Sequence, residues 1–267
     1  MIRAILLFSV LAFSAYAQDW ARQQLDQSPR HREWITVQHD GRSVQTLVVY
    51  PESSKKTPVV LMIHEIFGMT DWAESLADQV AAAGYIAVAP DLLSGMGPNG
   101  GRSSSFPSQD ARIEAVSHLN PDQITADLNA VADRALRFPS ANGELFVAGF
   151  CWGGSQSFRF ATDRPDLRAA FVFYGSPPPK DAMARIKAPV YGFYAGNDER
   201  VGATIPKARE DMKALGKTYE PVVYKGAGHG FMRLGQNLKG DEPNHAANVK
   251  ARNEAWARWK KLLKNRE

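Results

Sequence analysis

Cys151 is the one cysteine in 267 residues, and it stands in Gly149-Phe150-Cys151-Trp152-Gly153. A nucleophile with glycine two positions to either side, between an apolar run and a helical pattern, has the spacing of a strand-to-helix elbow. The chemistry asks for that spacing. A tight, strained turn exposes the nucleophile at its apex, and only small residues two positions away let strand and helix pack closely around it. The helix that follows aims free N–H groups and the positive end of its dipole at the sulfur, which favours the thiolate. A lone thiol cannot close an intramolecular disulfide, so it reads either as an inert buried side chain or as a nucleophile.

Two further segments hold groups that activate a thiol. Asp198 lies in Gly196-Asn197-Asp198, and His229 in Gly226-Ala227-Gly228-His229-Gly230, each after a short apolar run. Taken singly, Asp198 fits a structural turn and His229 a solvent-facing loop. Taken together with Cys151 they supply a nucleophile, a base and a carboxylate to orient the base. Of the other histidines (His31, His39, His64, His118 and His245) only His64 follows a comparable run. No second histidine follows His64-Glu65 at helical metal-binding spacing, so no zinc site is expected. Neither metal nor organic cofactor is required by this chemistry.

The elements that must carry these residues alternate. Residues 33–39 and 43–50 read as strands joined by an Asp40-Gly41 hairpin turn. Residues 58–63 are a continuous apolar run of the buried-strand kind, and a helix follows over 71–83. Asp71 and Glu74 form a capping-box pattern at its start, and Gly84 ends it. Further strands are expected at 85–90, 145–150, 167–174, 190–195 and 221–224. Helices are expected from Asn120-Pro121 onward, at 153–162, at 205–215 and at 245–264. Residues 95–108, rich in Gly, Ser and Pro, read as a long loop bordering the pocket. Apolar strands separated by amphipathic helices predict an α/β fold: a mostly parallel sheet, helices on both faces, and an N-terminal antiparallel hairpin. In such sheets, sites form at the carboxyl ends of the strands. Cys151, Asp198 and His229 each follow a successive strand, in the nucleophile–acid–histidine order of the α/β-hydrolase fold.

His64-Glu65-Ile66-Phe67-Gly68, Ala89-Pro90-Asp91-Leu92, Gly149-Phe150-Cys151-Trp152-Gly153-Gly154, Gly196-Asn197-Asp198 and Gly228-His229-Gly230-Phe231 occur in this order. This set resembles the dienelactone hydrolase family over most of the chain beyond residue 32. The resemblance implies a Cys151–His229–Asp198 triad, backbone oxyanion donors at Ile66 and Trp152, and Glu65 as a carboxylate pairing with the thiol. It also implies that Arg233 contacts both that glutamate and a carboxylate-bearing substrate. The sequence departs from the family at Gly95, where enzymes acting on dienelactone carry a second arginine; Arg102 lies further on.

Composition frames these readings. With 44% hydrophobic and 22% charged residues, the chain has material for one large core. Residues 33–267 are expected to form one domain, preceded by a polar segment over 18–32. Residues 1–17 carry Arg3, an apolar run from Ala4 to Ser14 and Ala15-Tyr16-Ala17, the pattern of a cleavable export signal. The product is expected in the periplasm or outside the cell, with no membrane anchor. The formal charge is +4, and the basic residues near the C-terminus flank a helical apolar stripe, so no nucleic-acid partner is expected. The expected partner is a small ester or lactone, hydrolysed through a thioester. Two alternatives stand beside this: a non-catalytic binding protein on a hydrolase fold, and a thioesterase or general carboxylesterase.

Overall fold

Thr57–Ile63, Ile86–Pro90, Ala169–Phe173 and Val190–Ala195 are buried along their whole length, as strands covered on both faces must be. A computed structural model, which describes residues 18–265, places them in one eight-stranded sheet. The proposed signal at 1–17 lies outside the described residues. In chain order the strands are β1 (Arg32–His39), β2 (Arg42–Val49), β3 (Thr57–Ile63), β4 (Ile86–Pro90), β5 (Ala141–Phe150), β6 (Ala169–Phe173), β7 (Val190–Ala195) and β8 (Tyr219–Tyr224). Their spatial order is β1-β2-β4-β3-β5-β6-β7-β8. β1 and β2 form the antiparallel hairpin, β2 runs antiparallel to β4, and the remaining pairs are parallel. β3 and β5 are central neighbours with Ile63 beside Gly149, so the loops leaving them meet at one rim.

The period of two along each strand divides the core. Phe146, Ala148 and Phe150 of β5, with Phe171 and Phe173 of β6, face one layer, while Leu145, Val147, Ala170 and Val172 face the other. Helices α1 (Asp19–Asp26), α2 (Asp71–Ala82) and α10 (His245–Lys264) cover the first face. α10 drives Trp259 against Phe150 and Phe173, with ring centroids 5.9 and 5.1 Å apart. Helices α4 (Pro121–Leu136), α5 (Trp152–Asp163), α6 (Lys180–Met183) and α8 (Ile205–Ala214) cover the second through Leu128, Phe158, Met183 and Met212. Among the described residues, no helix is long and apolar enough to cross a membrane.

Three local features depart from the sequence expectation. α1 forms inside the polar segment because Ala21 and Leu25, four apart, bury their side chains and Trp20 packs part-buried against the same cluster. A helix α3 (Gln109–Ser117) lies just beyond the long loop, capped by Ser108 Oγ, which accepts from the Ala111 N–H. The cap of α2 is Thr70 rather than the expected Asp71–Glu74 box: its hydroxyl accepts from the Ala73 N–H at 3.3 Å. Thr70 keeps the extended backbone that an N-cap requires, whereas Asp71 is already helical. Thr70→Ala is therefore expected to cost about 1 kcal/mol, and Asp71→Ala clearly less. Urea unfolding of the two variants measures the difference.

Candidate active site

The turn between β5 and α5 is strained as the sequence demands. Cys151 sits at φ 57° and ψ −118°, a conformation that costs a residue bearing a Cβ about 1–3 kcal/mol. Its surroundings hold it there: its N–H donates to the Phe173 carbonyl at 3.0 Å, and its own carbonyl accepts from the Ser155 N–H at 3.2 Å. The flanking glycines are needed for close approach. A Cβ on Gly149 would lie 1.9 Å from the Gly153 carbonyl oxygen, and one on Gly153 would lie 2.3 Å from that of His64. The sulfur stands at the N-terminus of a twelve-residue helix, whose first-turn N–H groups have no acceptor within the helix.

The structure brings Asp198 and His229 to this sulfur. His229 Nε2 lies 3.0 Å from Cys151 Sγ, and His229 Nδ1 lies 2.5 Å from Asp198 Oδ2. The other carboxylate oxygen of Asp198 accepts from the Val201 N–H at 3.2 Å, which caps α7 (Glu199–Gly202) and fixes the carboxylate's orientation. The two loops are tied together where the Asn197 N–H donates to the Ala227 carbonyl and the Gly196 N–H to that of Tyr224, both at 2.9 Å. Burial disfavours a charged imidazole, but the hydrogen bond and charge of Cys151, and then those of Asp198, outweigh it. They push the pKa of His229 up to about 9. At neutral pH both ring nitrogens then carry hydrogens, one donated to the carboxylate and the other to the sulfur.

Glu65 sits differently from the expectation that it pairs with the thiol. Its carboxylate, 3% exposed, accepts from Arg233 Nε at 2.8 Å and from the Tyr174 hydroxyl at 3.3 Å. A buried carboxylate is better satisfied by a guanidinium and a phenol than by a weak thiol donor, and the sulfur is already bonded to His229. Arg233 lies on the short helix α9 (Phe231–Leu234), with its guanidinium carbon 5.1 Å from the Phe67 ring centroid. Tyr174 was missed. It directly follows β6, with φ 41°, and its ring meets His229 edge-on at 5.0 Å. Burial first, then the negative charge of Glu65, raises its pKa well above the usual phenol range, so it acts as a neutral donor. Its signal was its position at a strand's carboxyl end, just before Gly175-Ser176-Pro177.

Ile66 occupies the turn leaving β3, and Trp152 opens α5. The long loop is pinned beside them. Asp91, 1% exposed, accepts from the Ser103 N–H at 2.9 Å and the Ser103 hydroxyl at 2.7 Å, and Ser103 Oγ accepts from the Met69 N–H at 3.0 Å. Arg102 is turned onto Trp34, its guanidinium carbon 3.5 Å from the ring centroid. Gly95 is exposed, with φ +79°. Among the described residues, no group of three or more His, Cys, Asp or Glu side chains is arranged to hold a metal ion.

Known proteins resemble this chain in sequence and fold. A Salmonella typhi protein provisionally named carboxymethylenebutenolidase is 34% identical over 210 residues, covering 73% of this chain and 76% of that one. A Methylorubrum extorquens protein provisionally given the same name is 33% identical over 197 residues, covering 68% of this chain; the chain spans 65% of that relative's length. A Klebsiella pneumoniae crystal structure, provisionally named dienelactone hydrolase, superposes with a TM-score of 0.75 at 26% identity, covering 88% of this chain and 98% of that one. A metagenomic dienelactone hydrolase-like promiscuous phosphotriesterase has the same fold, with a TM-score of 0.73 at 20% identity over 88% of this chain and 98% of that one. The model described as the dienelactone hydrolase family matches residues 44–266, and with the elbow, the sheet order and these relatives in agreement, the chain belongs to that family of α/β-hydrolases.

Proposed function

We propose that the protein hydrolyses a small ester or lactone through a thioester on Cys151. One observation carries this reading: the unbroken hydrogen-bonded chain from Sγ through the His229 ring to the Asp198 carboxylate. The sulfur attacks the acyl carbon and forms the C–S bond. The carbonyl oxygen takes the negative charge, facing the N–H groups of Ile66 and Trp152. Collapse of that intermediate breaks the C–O bond, and the His229 imidazolium gives its proton to the leaving oxygen. The neutral ring then takes a proton from water, whose oxygen attacks the thioester; the C–S bond breaks and the acid leaves. Asp198 holds the ring's tautomer and stabilises its charge. Arg233 carries guanidinium nitrogens beyond the one given to Glu65, and these hold a substrate oxygen.

The test is a panel of lactones, p-nitrophenyl esters and acyl thioesters offered to purified protein comprising residues 18–267, with intact-mass analysis of quenched reactions. A mass gain of one acyl group on the Cys151 peptide is the expected result. Turnover without any such adduct, under conditions where acylation outpaces deacylation, would exclude the thioester route. The panel also separates lactonase from thioesterase or general esterase activity.

The pH profile follows from His229. Its folded pKa of about 9 lies above its ordinary value, about 6.5. The stability gained from the charged ring is therefore complete below about pH 6.5 and is lost as the pH rises through about 9. The same deprotonation removes the acid that serves the leaving group, so kcat/KM is expected to fall above about pH 9. Asp198→Asn weakens the hold on that proton and should move the descending limb to lower pH. Initial rates from pH 6 to 10.5 for both proteins check the shift.

We further propose that residues 1–17 direct export and that the enzyme works outside the cytoplasm. The charged start, apolar run and Ala15-Tyr16-Ala17 site support this. N-terminal sequencing of protein recovered from periplasm and medium tests it, and a cytoplasmic chain beginning at Met1 would overturn it.

A further inference from the structure

His64 belongs to none of the steps above, yet it touches both loops that bear the oxyanion donors. Its side chain is 2% exposed. Nδ1 lies 2.7 Å from the carbonyl oxygen of Glu65, an acceptor only, so Nδ1 carries the ring hydrogen. Burial lowers the ring's pKa, and the side chain is neutral. Nε2 then has no hydrogen to give, and it is buried without a partner. An unpaired buried nitrogen costs stability that an aromatic hydrocarbon at the same place would avoid. Packing alone does not account for a histidine here.

The Nδ1 bond acts on the donor of the next residue. The Glu65 carbonyl and the Ile66 N–H belong to one planar peptide unit, so fixing the direction of one fixes the other. Glu65 O is held twice, by His64 Nδ1 and by the Gly68 N–H at 3.1 Å, and the Ile66 N–H is aimed the opposite way. On its other side the imidazole stacks on the Trp152 indole, with centroids 5.6 Å apart and planes inclined by 15°. Trp152 supplies the second donor as the first residue of α5. The backbone repeats the contact, since the His64 carbonyl oxygen occupies the space that a Cβ on Gly153 would need.

We propose that His64 is a positioning residue that sets the spacing between the two oxyanion donors, bracing the Glu65–Ile66 peptide through Nδ1 and Trp152 through its ring. This rests on the hydrolase reading given above. The test compares His64→Phe, which keeps an aromatic ring and loses the donor, with His64→Asn, whose Nδ2 takes the place of Nδ1. Two rates are measured on each folded variant: ester hydrolysis, which develops an oxyanion, and alkylation of Cys151 by iodoacetamide, which develops none. For His64→Phe, kcat is expected to fall about 10- to 100-fold, below or at the lower edge of the loss for deleting one oxyanion donor, with KM little changed and alkylation within twofold of wild type. His64→Asn is expected to recover most of that kcat.

Equal kcat in wild type and His64→Phe would overturn the proposal. So would alkylation that falls in parallel with hydrolysis, because His64 would then act on the nucleophile or the fold rather than on the oxyanion. Failure of the underlying reading has a different signature, namely a wild-type protein whose hydrolysis does not depend on Cys151.

Discussion

Cys151→Ala is expected to lower kcat/KM for ester or lactone hydrolysis by about four orders of magnitude or more, the scale seen when a covalent nucleophile is removed from a triad. The protein should remain folded. Alanine keeps the Cβ that already tolerates φ 57°, and the bonds that hold the elbow run through the backbone, from Cys151 N–H to Phe173 and from Ser155 N–H to the Cys151 carbonyl. The thiol is only partly buried, so its loss opens little cavity. Circular dichroism and melting temperature should match wild type while turnover disappears. Turnover retained in a folded Cys151→Ala protein would remove the sulfur from the mechanism. Iodoacetamide gives the complementary measurement. Wild-type Cys151 should be alkylated stoichiometrically at neutral pH, and His229→Ala should slow the reaction, because the imidazolium that stabilises a negative sulfur is gone. An unreactive thiol would favour the non-catalytic binding protein instead.

The cluster of Cys151, His229 and Asp198 was legible because turn chemistry is local. Gly149 and Gly153 mark the elbow whatever surrounds them, and Asp198 and His229 each sit among small residues directly after an apolar run. The β-strands were legible for a related reason: β3, β6 and β7 are buried on both faces, and apart from Thr57 at the start of β3 their residues carry no strongly polar side chain. What could not be read was pairing across distance. Glu65 takes a donor 109 residues away, Tyr174, that no local pattern names, and its bond to Arg233, 168 residues away, was reached only through the family resemblance. Arg102 shows the same limit, since its stacking on Trp34 depends on the hairpin lying beside the long loop. α3 was missed because it buries only Val116, too little to give a helical period, and α1 because its eight residues are polar apart from Trp20, Ala21 and Leu25.

Gly153→Ala is expected to damage both stability and catalysis through a single methyl group. The added Cβ would lie 2.3 Å from the His64 carbonyl oxygen, 2.4 Å from that of Ile63 and 2.8 Å from the Ile63 carbonyl carbon. All three belong to the backbone leaving β3, so no side-chain rotation relieves the overlap; α5 must move away from the central strands or β3 must bend. The cost is expected at about 3 kcal/mol or somewhat more, the upper end for overpacking, which corresponds to a fall in melting temperature of about 6–12 °C. Either displacement also changes the distance between the Ile66 and Trp152 N–H groups, so kcat/KM in the surviving folded fraction should fall by about 10²–10³, as when an oxyanion donor is lost. Gly202→Ala is the matched control. It makes the same chemical change at the end of α7, where a Cβ meets nothing within 4 Å, and helix propensity favours alanine by up to about 1 kcal/mol. Its stability should be unchanged or improved, with full activity. Equal melting temperatures and rates for the two variants would mean that β3 and α5 approach each other less closely than the elbow requires.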